Sequence, residues 1–337
     1  MLRVKLLRDP GALRRVLVVK PSSLGDIVHT LPAVHLVKRT WPWVEVVWLV
    51  NPEFAALLEG NPDVGEVVMF PRGEFRGLRG MGRFAGWLRG LRKRVGAVDL
   101  ALDFQGLLRS GLMSRASGAG EVVGMSDSRE GARWFHGHVV PVESGAHAVE
   151  RNLAMVRALG VDGPVEFTLP EGSEPEGMGA AAAGGYVLLH PFSRGEGKSL
   201  SREQVRLFCE AMGARTVVVV GRLTGGPLVL PDGSVDLVNG TTLPELAWLM
   251  RRAAYTVSVD SGPMHMAAAL SARVLGIHTW SDPRKVGPWD REAHVWKAGR
   301  FMKCGELDAA VCGAGRPVAD EDIGAIAAFV RGRLGGG

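Results

Sequence analysis

Residues 16–37 read VLVVKPSSLGDIVHTLPAVHLV, and this stretch decides the fold. Val16 to Lys20 is a short β-branched run, apolar on both faces, as a strand must be when helices cover both sides of a parallel sheet. A turn with two hydroxyl residues and a glycine follows, and then Ile27, Val28, Leu31, Val34, Leu36 and Val37 recur at helical spacing. The segment opens as strand, turn, helix. Runs at 44–50, 64–70 and 98–103 continue the alternation, which restarts at 186–190 and goes on through 216–220, 235–238, 255–259 and 274–279. Between the halves, 166–185 is rich in Pro, Gly, Glu and Ala, has no period, and reads as a linker. The expected architecture is α/β: a Rossmann-like domain over 1–165, the linker, and a second Rossmann-like domain over 186–337 whose last helix is free to pack back on the first. Ligands then belong at the carboxyl ends of the strands, in a central cleft that the two parallel sheets face.

Composition narrows the class. With 337 residues, 46% hydrophobic and 22% charged, the chain is globular, long enough for two ordinary domains, and not disordered. Its 46 glycines imply many turns rather than a fibrous repeat. Forty basic residues against 35 acidic leave +5, so the placement of charge matters more than its sum. No apolar run approaches the ~18 residues of a membrane span. The opening MLRVKLLRDPGALRR lacks the apolar core and cleavage site of a secretory leader. Cys209, Cys304 and Cys312 have no metal-ligand spacing and read as reduced thiols of a cytoplasmic protein, although Cys304 and Cys312 could pair. No metal and no cofactor is called for.

One charged element stands apart. Arg72, Arg76, Arg79, Arg83, Arg89, Arg92, Lys93 and Arg94 accompany a single acid, Glu74, and are interleaved with Phe75, Leu78, Met81, Phe84, Trp87, Leu88 and Leu91. A basic amphipathic element suits an anionic membrane surface or a large anionic substrate. It equally suits a solvated helix whose apolar face packs on its own domain.

Three loops could carry chemistry. The first, after strand one, ends in Asp26 at a helix start, and Gly25 is its only glycine, so it is not the dinucleotide fingerprint that hydride transfer would need. Asp26 could cap the helix, the ordinary role of Asp there, or serve as general base toward a substrate hydroxyl, kept ionised by the helix dipole. The second loop is VDSGPMH, 259–265, running from a strand into a helix. Asp260, Ser261 and Gly262 sit where free helix amides make a cradle for phosphate, and His265 lies one turn further along the side that Ser261 occupies. The third, HPFSRGEGK over 190–198, brings Ser193 and the point charge of Lys198 to a strand end. A plain surface loop would share that composition.

Together these loops resemble glycosyltransferase family 9, the ADP-heptose:lipopolysaccharide heptosyltransferases. The resemblance runs through VLVVKPSSLGDIVHTLPA (16–33), DLALDFQGLLRSGL (99–112), GMSDSRE (124–130), HAVERNL (147–153), VSVDSGPMHMAAAL (257–270) and SDP (281–283), and the opening is most like type I members. It implies a GT-B fold with the acceptor on the first domain and the nucleotide-sugar donor on the second. It implies an inverting, metal-independent transfer of L-glycero-D-manno-heptose from ADP-heptose to the lipopolysaccharide inner core. Asp26 then matches the catalytic base. Ser193, Lys198, Thr241, Asp260, Ser261, Gly262 and His265 match donor-binding positions, and Ser23, Gly25 and Arg129 acceptor positions. The implied acceptor is an anionic lipid of the Kdo-lipid A type, met by an enzyme peripheral to the inner face of the cytoplasmic membrane.

The chain departs from the family on the donor side. Lys198 is followed by Ser199 and Leu200 where relatives carry a tryptophan, the loop after Val220 lacks a glutamate, and G-P-T-D-P becomes HTWSDP over 278–283. Two rivals follow: an inverting GT-B enzyme with another nucleotide sugar or acceptor, and a non-catalytic descendant that binds anionic lipid. Nucleic-acid binding has only net charge in its favour.

Overall fold

The computed structural model describes residues 10–335, so the first nine residues, read above for a leader, lie outside it. The chain forms two compact units, Met1–Pro170 and Glu171–Gly337.

The first unit runs β1 (Arg15–Val19), α1 (Leu24–Thr40), β2 (Glu45–Val50), β3 (Glu66–Met69), α2 (Gly77–Arg89), α3 (Leu91–Val95), β4 (Leu100–Asp103), α4 (Leu108–Ala116), β5 (Glu121–Met125), β6 (His138–Val140) and α5 (Ala148–Ala158). All six strands are parallel, in the order β3-β2-β1-β4-β5-β6. Because side chains alternate along a strand, Leu17, Val19, Val47, Leu49 and Ala101 share one core with Phe75, Trp87, Leu91 and Val95. On that scale each fully buried Leu or Val stabilises by roughly 1.5–3 kcal/mol. Elsewhere in the unit α1 packs on α5, and Asn152 Nδ2 donates to the His29 carbonyl at 3.0 Å. The basic element thus settles one of its alternatives. Its aromatic residues Phe75 and Trp87 pack on their own sheet with Phe70, while Arg72, Arg76, Arg79, Arg83, Arg89, Arg92 and Lys93 stay exposed.

The second unit repeats the plan: β7 (Val187–His190), α6 (Arg202–Ala211), β8 (Val217–Gly221), β9 (Val235–Val238), α7 (Leu243–Arg252), β10 (Tyr255–Val259), α8 (Gly262–Leu270), β11 (Val274–His278), α9 (Pro283–Val286), β12 (His294–Lys297), β13 (Arg300–Lys303), α10 (Ala309–Gly313) and α11 (Asp320–Arg333). Its order, β13-β12-β11-β10-β7-β8-β9, is that of the first sheet plus an antiparallel edge strand. The last helix departs from expectation. Ile323, Ile326, Ala327 and Val330 of α11 join Val205 and Phe208 of α6 in this unit's own core, because the apolar stripe of α11 finds its partner there. The stretch 166–185, expected to be the linker, is itself packed: Leu169 and Met178 are buried, and Gly172 lies so close to the Pro244 carbonyl that a side chain would collide with it.

Among the described residues no helix is long and apolar enough to cross a membrane. All three cysteines are free.

Candidate active site

In each sheet the strand order reverses direction between the first and fourth strands, β1 and β4 in one, β7 and β10 in the other. The crevice outside the carboxyl ends of such a pair is where open α/β sheets bind ligands. The loops singled out by sequence stand at these two points.

In the first unit Val19 lies beside Asp103 in the parallel ladder, so Lys20 and Phe104 emerge together. Lys20 is buried and its Nζ donates to the Phe104 carbonyl at 2.8 Å. Burial pushes the Lys20 ammonium below its usual range, while Asp26 and Asp103 pull it back up. Nζ stands 3.8 Å from Asp26 Oδ1. Asp103 steadies the loop above β4: Oδ1 accepts from the Gln105 and Gly106 amides at 3.1 and 2.9 Å, and Oδ2 accepts from Ser110 Oγ at 3.0 Å and lies 2.9 Å from His136 Nε2.

Asp26 is the third residue of α1 and it does cap the helix. Its Oδ2 accepts from the Ser23 amide at 2.9 Å and from Ser23 Oγ at 2.7 Å. Nearly half of its side chain is exposed all the same, so one carboxylate is both fixed by a cap and open to an incoming group. Of the three expected acceptor residues, Ser23 is the exposed helix cap. Arg129 is exposed on the loop after β5, its amide bound to the Gly106 carbonyl at 2.8 Å. Gly25 is buried in the first turn of α1.

In the second unit His190 ends β7 beside Ser258 of β10. Its Nδ1 lies 3.3 Å from both Ser258 Oγ and Ser261 Oγ, and burial pushes the imidazole down to about 4, so it is neutral at working pH. Lys198 Nζ donates to Asp260 Oδ2 at 2.6 Å, and Ser193 Oγ donates to the Asp260 carbonyl at 3.3 Å. Burial works to raise the Asp260 carboxyl, but His278, Lys198 and Ser281 together hold it below the usual carboxylate range. Helix α8 begins at Gly262 with Pro263 in its first turn, directing its positive end at this pair. A lysine ammonium has three donors and Asp260 takes one, which leaves Lys198 equipped for an anion. The structure therefore joins Ser193, Lys198, Asp260, Ser261 and Gly262 around one point. His265 is buried inside α8. Thr241 stands elsewhere, at the end of the β9–α7 turn. Arg222, just past β8, binds the Thr241 carbonyl at 3.0 Å and the Asn239 carbonyl at 2.7 Å.

Sequence reasoning missed two buried lysines. Lys20 offered a signal, since a cation at the end of a strand apolar on both faces must find a partner. Lys297, wholly buried at the end of β12, offered less, because its partners are the carbonyls of Thr279 and Ser281 at 2.8 and 2.9 Å.

A family model described as glycosyltransferase family 9 (heptosyltransferase) matches residues 88–186 and 197–308. The chain is 30% identical over 306 residues to lipopolysaccharide heptosyltransferase 1 of Pseudomonas aeruginosa, covering 82% of each. Among solved structures it resembles a family 9 glycosyl transferase of Veillonella parvula, with a TM-score of 0.74 at 17% identity over 94% of this chain and 97% of that one. It also resembles the heptosyltransferase WaaC of E. coli solved with ADP, with a TM-score of 0.70 at 22% identity over 95% of this chain and 99% of that one. These two likenesses establish the GT-B fold class.

Proposed function

The chain belongs to glycosyltransferase family 9, the heptosyltransferases, and from that membership we propose that it moves L-glycero-D-manno-heptose from ADP-heptose to a hydroxyl of the lipopolysaccharide inner core, inverting the anomeric centre without a metal ion. One observation carries this reading. The Lys198 ammonium, held in place by Asp260 at the head of α8, is a ready counter-charge for a leaving diphosphate.

In this mechanism the acceptor hydroxyl attacks the anomeric carbon on the face opposite the diphosphate and loses its proton to Asp26. The carbon–oxygen bond to the diphosphate breaks, and ADP leaves with the electron pair. Negative charge grows on ADP, where Lys198 and the α8 amides meet it more strongly than in the bound ground state. A single displacement inverts the centre. Asp260 aims Lys198, Ser193 ties the 190–199 loop to Asp260, and Thr241 with Arg222 forms the side that receives the nucleoside. Ser23 and Arg129 flank the acceptor. That acceptor is an anionic lipid of the Kdo-lipid A type, and the exposed basic residues of 72–94 hold the enzyme at the inner face of the cytoplasmic membrane from the cytoplasmic side.

Incubating the purified chain with ADP-heptose and Kdo-lipid A tests the reading. The expected result is ADP release that requires the acceptor, and a product whose anomeric configuration by NMR is opposite to the donor's. No acceptor-dependent ADP, or faster release from another nucleotide sugar, overturns it.

A further inference from the structure

The loop that follows β11 is built with unusual care around a side chain that the unit's core does not need. Trp280 is 53% exposed. On either side of it, the carbonyls of Thr279 and Ser281 are held by the buried Lys297 ammonium, and Ser281 Oγ lies 2.9 Å from His278 Nδ1. Burying a lysine is costly unless it is fully bonded, and here its bonds fix the two residues that aim the indole. Two glycines make room for the ring. A methyl group on Gly197 would come within 3.0 Å of the indole Nε1, and one on Gly315 within 2.9 Å of Cε3. Gly197 immediately precedes Lys198, so the indole edge stands against the loop that carries that lysine.

The strand order then decides what the indole faces. β8 and β9, with Arg222 and Thr241, lie on one side of the β7–β10 crevice, and β11 lies on the other. With the diphosphate at the crevice and the nucleoside toward β8, the sugar extends toward β11. We infer that Trp280 is a rigid aromatic platform for the transferred sugar, packing on its apolar C–H face and setting donor-sugar specificity. This rests on the donor class proposed above. It also accounts for the aromatic residue in HTWSDP, 278–283, which the sequence showed only as a departure. A flat ring ordered in advance binds with little entropy loss.

Titration calorimetry of the full chain with ADP and with ADP-heptose, in the wild type, Trp280→Phe and Trp280→Ala, tests the inference. The expected pattern is an ADP affinity equal across the three and an ADP-heptose affinity about tenfold weaker in Trp280→Ala. Trp280→Phe should lose only about threefold, and the KM for ADP-heptose should rise in Trp280→Ala with kcat little changed. Retained ADP affinity doubles as the folding control. Equal losses for both ligands, or no loss for either, overturn the platform while leaving the donor assignment standing. A wild type that binds neither ligand overturns the donor assignment and the platform with it.

Discussion

Replacing Asp26 by asparagine separates its observed cap from its proposed role as base. The cap rests on Oδ2, which accepts two bonds from Ser23 at 2.9 and 2.7 Å, and an asparagine oxygen accepts both. Alanine accepts neither, and losing such a cap costs about 1 kcal/mol, or about 3 °C in the melting midpoint of a unit this size. Both variants remove the carboxylate 3.8 Å from Lys20. Asp26 is half-exposed but Lys20 is buried, so either variant leaves a buried ammonium short of a counter-charge and costs more than the ~1 kcal/mol of a surface pair. That loss is common to both, and Asp26→Ala should fall about 1 kcal/mol further for the missing cap. Catalysis should not follow stability. A positioned general base contributes about 10²–10⁴-fold, so both variants should lose at least about a hundredfold in acceptor-dependent ADP release while binding donor normally. Thermal melts, calorimetry with ADP-heptose and a coupled ADP assay measure the three quantities. Asp26→Asn turning over within about tenfold of the wild type would refute the assignment and leave Asp26 a helix cap.

Two further outcomes are expected. His190 and His278 are each pushed by burial from 6.5 to about 4, so between those limits the unfolded chain binds more protons and stability rises with pH. The melting midpoint should be level above pH 6.5 and drop steadily as pH falls toward 4, and a midpoint unchanged across that window contradicts the buried, neutral imidazoles. Sedimentation with anionic vesicles should show binding that weakens as salt rises, and charge reversal at exposed Arg79 and Arg83 should reduce it; salt-insensitive binding argues against an electrostatic contact.

The sheets were legible because their inner strands are buried on both faces and their runs therefore show no alternation. β5, β6, β12 and β13 escaped, although β12 is wholly buried and β5 nearly so. EVVGM at 121–125 is interrupted by Gly124, whose missing side chain makes room for the His136 ring, and HVWK at 294–297 buries a histidine and a lysine that sequence assigns to solvent. The aromatic members of the basic element were read correctly as an apolar stripe, but only the fold shows that Phe70 and the sheet cover it. The site was legible where a charged or hydroxyl residue follows a strand, as with Asp26, Ser193, Lys198 and Asp260. It was illegible where the partner is a backbone carbonyl far along the chain, as with Lys20 and Phe104 or Lys297 and Thr279, because a main-chain oxygen leaves no mark in the sequence.

The duplicated strand order has an evolutionary corollary. The donor and acceptor roles proposed above fall in separate halves of the polypeptide, each on loops carried by that half's own sheet. On that proposal, drift in the loops of residues 190–200 and 278–283 would retune the incoming sugar without altering the recipient's site, and mutations around 20–26 would do the reverse. Lineages built on such a plan are free to diversify one substrate at a time.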